Sequence, residues 1–478
     1  DRSQLVTSGI AGSHNTFGNE IVYSRLYDKT SVSLGQFHHQ SDGFRRNNDQ
    51  NHDVLNAFIQ HAFTPRLNIQ GEVRTRETEH GDLLLDFDRD RFDPSSRRYI
   101  HEDVARMGAR YELSPNQDFI VSGKYIDRNE KLNSSSAYNT GFQFEGQHMW
   151  RHAHLNTVFG GGIYQFDRTL QIINRPKLSK DLTRENVYLY TNLHYFNNLD
   201  ITLGVGYDAF NSTTENIKEN KINPKFGFQW SLRNNLRIRG ALFETSKSHL
   251  VAQQTLEPTQ IAGFNQFFDD INGTRTRRMG LGLDVHLSHI LYGGVEASKR
   301  ILHVPLFLSS NSFLQKQSER LYRSYLYWTP HKYVAIKGEF QFEQFKRNPD
   351  DQSLTNIAEP THIKTLKAPI SLEYFHPSGF FSGVTGTFVK QNLTRLSDFG
   401  KEQKRNPETT KSGIDTFFLL DAFLGLRFAN RRGILSLEGR NLFDTTFYYR
   451  NINFYQSEAI SPQFIPDRTI FARLTLNF

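Results

Sequence analysis

The dominant signal along this chain is an alternation of apolar and polar residues with a period of two. In the final segment, Ile470, Ala472, Leu474, Leu476 and Phe478 fall on one face, and Thr469, Phe471, Arg473, Thr475 and Asn477 on the other. Side chains alternate in this way across a β-sheet, whereas a helix would need a period of 3.6. One face suits lipid; the other carries Arg473 and Asn477 and does not. The pattern recurs at Leu67–Arg74, Phe119–Arg128, Val334–Glu343 and Asp415–Phe428. Each reads as a strand with an apolar outer face and a polar inner one.

Connections between these strands alternate between short and long. Ten short ones lie near Tyr27–Lys29, Thr64–Arg66, Ser114–Gln117, Arg151–Ala153, Asn197–Leu199, Arg233–Asn235, Ser288–Ile290, Thr329–Lys332, His376–Ser378 and Asn430–Arg432. Thr-Pro, Ser-Pro-Asn and His-Pro-Ser-Gly supply turn chemistry at several of them. Long connections are expected near 40–53, 80–101, 129–138, 168–183, 213–221, 247–273, 304–318, 346–363, 396–414 and 447–466, with a brief one at His14–Phe17. Together they join roughly 22 strands of about 9–11 residues. The fold class expected is all-β: a transmembrane antiparallel up-and-down β-barrel with short periplasmic turns and long extracellular loops. Residues 1–478 are read as one barrel domain, because no linker or composition shift divides them.

The mean hydropathy of −0.58 is compatible with this reading. It argues against membrane helices, and no stretch of about 18 apolar residues occurs. A barrel strand needs an apolar residue only at every second position. The absence of cysteine excludes disulfides and thiolate chemistry, and fits a chain that crosses an oxidising periplasm unfolded. The net charge of +7 is spread along the chain and carries little weight. No signal peptide is visible, so the chain reads as mature or trimmed. Tyr188, Tyr190, Tyr325, Tyr327, Trp328, Phe447, Tyr448 and Tyr449 lie near expected strand ends, where an aromatic girdle would meet lipid headgroups.

Candidate chemistry is sparse. Asp86, Asp88, Asp90 and Asp93 hint at calcium, but an EF-type loop needs Gly and Glu where Arg91 and Arg97 stand, so a solvated acidic loop is expected. His38, His39, His52, His61 and His80 show no metal-ligand spacing. Gly204-Val205-Gly206 and Gly280-Leu281-Gly282 lack the third glycine of a dinucleotide loop and read as lipid-facing or bend glycines. The adjacent pairs Asp269-Asp270 and Asp350-Asp351 point apart on a strand and make no catalytic dyad. No enzyme activity, cofactor, metal or nucleic-acid partner is expected. Lys337, Glu339, Glu343, Asp421, Arg427, Glu438, Arg440 and Arg473 are expected to face the lumen, as wall pairs or as the lining of a water path. In the 247–273 connection, Phe264, Phe267 and Phe268 are candidates to grip a ligand or partner, or to cap the barrel by packing on their neighbours.

The C-terminal stretch resembles TonB-dependent outer-membrane receptors. Gly433–Arg440 runs into Asn441-Leu442-Phe443-Asp444, then a long loop, Pro466-Asp467-Arg468, and a strand ending in Phe478. Ile470, Leu474, Leu476 and Phe478 resemble the signal read by the outer-membrane assembly machinery. The resemblance implies an outer-membrane location, contact with lipid and lipopolysaccharide, and uptake of a scarce ligand such as a siderophore, vitamin, glycan or peptide. It also implies a plug domain and an energy-coupling protein in the periplasm. Strand-like sequence begins at about Ser3, so no plug is expected within this chain. The alternative function is a plugless export or secretion conduit coupled to a periplasmic module such as tetratricopeptide repeats.

Overall fold

The computed structural model describes residues 2–212, 217–247, 254–268, 270–308, 311–347, 360–395, 412–451 and 463–478. Its 22 strands form one antiparallel sheet that closes on itself, with consecutive strands as neighbours. Closure occurs where β1 (Arg2–Gly12) pairs with β24 (Thr469–Asn477) as well as with β2 (Thr16–Tyr27). The seam runs from Val6 opposite Asn477 to Gly12 opposite Phe471. Leu5 and Phe478 extend it by exchanging backbone bonds of 3.0 and 2.9 Å. A closed ring leaves no strand edge unpaired, which is the condition for a sheet to lie in hydrocarbon.

The two faces have inverted polarity relative to a soluble protein. Along β16 (Arg275–Ser288), Thr276, Arg278, Gly282 and Asp284 are buried while Arg277, Met279 and Leu281 are exposed. The exposed face of the ring carries Leu34, Leu55, Val73, Met107, Ile163 and Ile370. The enclosed face carries Lys124, Glu145, Arg184, Asp208 and Arg300. All three tryptophans, Trp150, Trp230 and Trp328, point outward at the short-turn end of their strands. Each stands opposite or next to the first residue after a short turn: Gln117, Leu199 and Leu291. Amphipathic rings in that position mark one boundary of an apolar band.

The ten short turns fall where the turn chemistry places them, and both chain ends emerge on that side. The other side differs from expectation. Strands range from 8 residues in β23 (Gly433–Arg440) to 21 in β18 (Asn311–His331). The connection expected at 129–138 shrinks to Asn133-Ser134, and that at 168–183 to residues 173–177. The ladder continues beyond the apolar band as a tall rim. There the outer face need not be apolar: above Trp328, Leu326 and Tyr322, β18 presents Arg320, Ser318 and Lys316. Parts of the connections expected at 213–221, 304–318, 346–363, 396–414 and 447–466, and Asp269, Asp350 and Asp351, lie outside the described residues.

Candidate functional site in the lumen

Between β13 (Leu236–Ser246) and β16, residues 254–268 turn inward and enter the barrel. Its tip is a small hairpin, β14 (Gln260–Ile261) against β15 (Phe264–Asn265). Ala262 and Gly263 both have positive φ, 47° and 84°, as a type I′ turn demands. Ile261 and Phe264 are fully buried against Tyr188, Tyr190, Ala241 and Phe243 of the wall. Bare backbone makes the room: a Cβ on Gly227 would stand 2.6 Å from Ile261 Cγ2, and one on Gly280 would overlap the Phe264 ring.

Polar contacts fasten the ascending arm across many strands. The Gln254 carbonyl accepts from Lys124 Nζ at 2.9 Å and Gln143 Nε2 at 2.8 Å, and its side chain accepts from Arg106 at 2.9 Å. Glu145 accepts from Thr255 Oγ1 at 2.5 Å, Leu256 N at 3.0 Å and the Tyr164 hydroxyl at 3.0 Å. Tyr190 donates to Glu257 at 2.6 Å, and Lys225 Nζ stands 3.8 Å from the same carboxylate. Burial pushes the Glu257 carboxyl above the ordinary carboxylate range, against the pull of Lys225. On the far side Arg278 donates to the Asn265 carbonyl at 2.8 Å, and Arg300 pairs with Asp270. The loop therefore reaches about mid-height, where Arg106 stands eight residues from the Ser114–Gln117 turn. Beneath it a cavity of about 700 Å³ is lined by Gln70, Arg106, Arg110, Lys124 and Gln254.

A second set of loops covers the opposite arc of the mouth. The segment 81–97 crosses from β5 (Leu67–His80) to β19–β22, whose strands are Val334–Arg347, Pro360–Phe375, Phe380–Arg395 and Gly413–Arg427. Leu85 joins Phe44, Val389, Phe417, Leu419, Phe447 and Tyr449 in one apolar cluster, and Phe87 packs on Phe345, Ile363 and Leu393. Asp86 is the polar centre, 2.6 Å from the buried Arg395, 2.9 Å from Arg91, and paired with Arg450. Arg45 holds the same segment through the carbonyls of Leu84 and Arg89, at 2.6 and 2.8 Å.

The residues expected in the lumen lie on the polar face of β18–β24. Lys337 pairs with Glu373 at 2.7 Å, Glu339 with Arg323 at 3.0 Å, and Glu343 stands 3.6 Å from Lys367. Asp421 accepts the Asn441 amide at 2.8 Å, and Arg427 lies over Phe375 and Phe381. Glu438 and Arg440, paired at 2.5 Å, meet Arg473 at a cavity of about 340 Å³ beside the seam. Phe264 is an internal anchor beneath Arg239, and Phe268 lies 3.7 Å under the Arg300 guanidinium; Phe267 is half-buried. Ile470 and Leu474 point outward, and Phe478 is exposed at the chain end.

Three readings are corrected. Tyr188 and Tyr190 are 2% and 1% exposed and serve the infolded loop, not a girdle. Tyr325 and Tyr327 likewise bond inward, to Asp284 and Glu339, and Phe447 and Tyr449 lie in the mouth cluster; Trp328 faces outward, and Tyr448 is exposed beside Phe87. Gly204, Gly206, Gly280 and Gly282 face the lumen, not lipid, because they meet the inward side chains Tyr190, Lys225, Phe264 and Arg239. Asp86 is paired with arginines rather than solvated, while Asp93 bonds Ser95 and Asp90 is exposed. The early histidines take separate partners: Asp53 for His38, Thr78 for His52 and Thr30 for His61. Sequence reasoning missed Glu145, Arg184, Lys225 and Glu257, and placed Lys124 on a polar strand face without giving it a partner. The alternation that puts Lys124, Glu145, Arg184 and Lys225 on the inner face was present, but which inner positions receive a loop depends on a contact more than 100 residues away, such as Glu145 with Thr255, and Glu257 lies in that loop with no period to mark it.

A closed ring of this size, apolar outside and polar within, with loops folded into its bore, defines a large transport-type barrel. The chain belongs to the TonB-dependent receptor family: the family model "TonB dependent receptor-like, beta-barrel" matches residues 16–286. Such barrels are outer-membrane proteins. Among solved structures, the whole chain superposes on 80% of the copper transporter OprC, at 13% identity and a TM-score of 0.75. It also covers 82% of the FrpB iron transporter from Neisseria meningitidis at 12% identity and a TM-score of 0.75. For the ferric citrate transporter FecA in its unliganded form the values are 78%, 14% and 0.70. No curated protein matches this chain.

Proposed function

We propose that this chain is the barrel of an outer-membrane uptake receptor, and not an enzyme. Its mouth loops meet a scarce ligand, and its lumen conducts the ligand inward when a periplasmic energy-coupling protein supplies the work. The observation that carries this reading is the obstructed bore. An infolded loop fastened to the wall by buried ion pairs and hydrogen bonds narrows the bore, and a gated importer needs such a barrier. Family membership supports the same direction, and similar solved structures are named as transporters of copper, iron and ferric citrate. A metal ion or metal chelate is therefore the ligand class to test first. The test is uptake of radiolabelled metal chelates by cells with and without the protein, before and after an uncoupler collapses the proton-motive force. Accumulation that needs both the protein and the force is expected. Protein-dependent flux that ignores the uncoupler would favour a passive or export conduit and sink the reading.

A further inference from the structure

Above the apolar band the outer face of the rim is charged, and the sign differs between two arcs. On β18, β20 and β21 an outward apolar residue is followed, two residues toward the mouth, by a base: Tyr322 by Arg320, Leu366 by Lys364, and Phe388 by Lys390. Among the described residues the outward positions of β16–β21, with β17 at Leu291–Leu308, hold no carboxylate. On β4 (Gln50–Thr64), β6 (Arg98–Ser114) and β7 (Gln117–Leu132) the same step leads to an acid: Leu55 to Asp53, Ala105 to Asp103, and Tyr125 to Asp127. On β10 (Leu178–Phe196) it leads from Val187 to Glu185. On β5 and β9 (Leu155–Ile172), Glu77 and Asp167 stand one outward position higher. Lys131 is the single outward Lys or Arg among the described residues of β4–β10. Between the arcs stand Lys218 of β12 (Ile217–Arg233) and Glu244 of β13, the latter paired with Arg277 at 2.6 Å.

Within each arc, like charges face one another across the ladder. Asp53 stands opposite Glu77, Asp103 opposite Asp127, and Asp167 opposite Asp181, while Lys299 stands opposite Arg320. Such pairs weaken a sheet unless the other sign is supplied from elsewhere. Histidines supply part of it on the acidic side: His38 lies 2.7 Å from Asp53, and His101 lies 3.1 Å from Glu77. Asp167 and Glu185 have no ion-pair partner among the described residues, and neither do Arg320, Lys364 and Lys390. Anionic headgroups can neutralise the bases but not the acids. The acidic arc centres on β7, the seventh strand, and the basic arc on β18 and β19, the sixteenth and seventeenth of 22, so the two lie nearly opposite on the ring.

We propose that a second copy of this chain covers each arc, the acids of β4–β10 on one barrel meeting the bases of β16–β21 on the next. Two barrels upright in one bilayer align their apolar bands, so the charged steps above Leu55 and Tyr125 on one come level with those above Tyr322 and Leu366 on the other. The two arcs differ and lie nearly opposite, so the contact is head-to-tail and extends into a row instead of closing as a two-fold dimer. Its centre is marked by two neutral residues: Thr140 stands between Asp127 and Asp167, and Gln344 between Arg320 and Lys364. Exposed ion pairs are weak singly, but confinement to a membrane plane raises the effective concentration, so that several act together. The inference rests on the outer-membrane placement above and adds a lateral partner to it.

The test uses the absence of native cysteine. T140C and Q344C proteins, each alone and the two mixed, are reconstituted into phosphatidylcholine vesicles and treated with a short bismaleimide. The mixture should yield roughly tenfold or more cross-linked dimer than either protein alone, and less at raised salt. Adding R320E and K364E to the Q344C protein should abolish the dimer, and adding D127K and D167K to the T140C protein as well should restore it. Equal dimer from T140C alone, Q344C alone and the mixture would overturn the proposal without need of any charge variant. So would the absence of dimer from all three, or a folded R320E/K364E variant that links as before. Any of these results from a protein that keeps its heat-modifiable, detergent-requiring fold would defeat this inference alone and leave the membrane placement standing.

Discussion

At the scale of single residues, the account turns on side chains that hold a loop inside a water-accessible bore. Glu145 is the clearest case, because it is 1% exposed and serves Lys124, Tyr164, Thr255 and the Leu256 amide. Glu145→Ala strands the buried Lys124 ammonium, a loss expected to cost about 3–5 kcal/mol locally. The expected outcome is faster proteolysis near residue 254, with little change in the temperature at which the barrel itself loses its folded gel mobility. Gly280 gives an independent handle. Gly280→Val thrusts a branched side chain into the Phe264 ring and should expel the hairpin. The chain has no cysteine, so I261C, at a fully buried hairpin position that leaves the Phe264 ring in place, reports cleanly: its thiol should resist a charged maleimide in the parent background, and label readily once Gly280→Val is added. Labelling at the same rate in both backgrounds would contradict the packing described. Tyr188 and Tyr190 show what residue-scale reading cannot reach. Aromatic rings near a strand end suit either a headgroup belt or an inner anchor, and alternation alone does not say which face is the lumen at one strand.

At the scale of elements, much of the barrel was legible. Alternation marks a strand and its two faces, and Pro, Asn and Gly mark the short turns, because both signals are local. The final strand and the Asn441–Asp444 segment were legible for the same reason: Asn441 turns the chain with φ 48° and bonds Thr445. Strand ends on the mouth side were not legible. Above the apolar band a strand has no need of an apolar face, so Lys316 and Arg320 read as loop. The infolding of 254–268 was not legible either, since its partners lie on β6 (Arg98–Ser114) through β17. Register at the seam is a sharp prediction. A V6C/N477C pair should form a disulfide under mild oxidation, because directly opposed antiparallel residues meet the Cα separation a disulfide needs. L5C/N477C should not, since adjacent strand residues point to opposite faces. The reverse result would mean the seam is shifted by one.

At the scale of the whole molecule, the ring and its contents have separate jobs. The 22-strand wall provides a bore wide enough for a solute too large for a porin, and the loops decide whether that bore is open. The apolar outer band and the outward tryptophans suit the ring to a bilayer. The wall should therefore tolerate removal of the infolded loop. Excision of 254–268 with a short Gly-Ser bridge is expected to leave a heat-modifiable barrel, because none of the barrel ladders runs through that segment. The most direct measurement of the central claim is the single-channel conductance of parent and excised protein in a planar bilayer. The account predicts a weakly conducting parent and steps several-fold larger after excision. A parent that already conducts in large steady steps, unchanged by the excision, would contradict it.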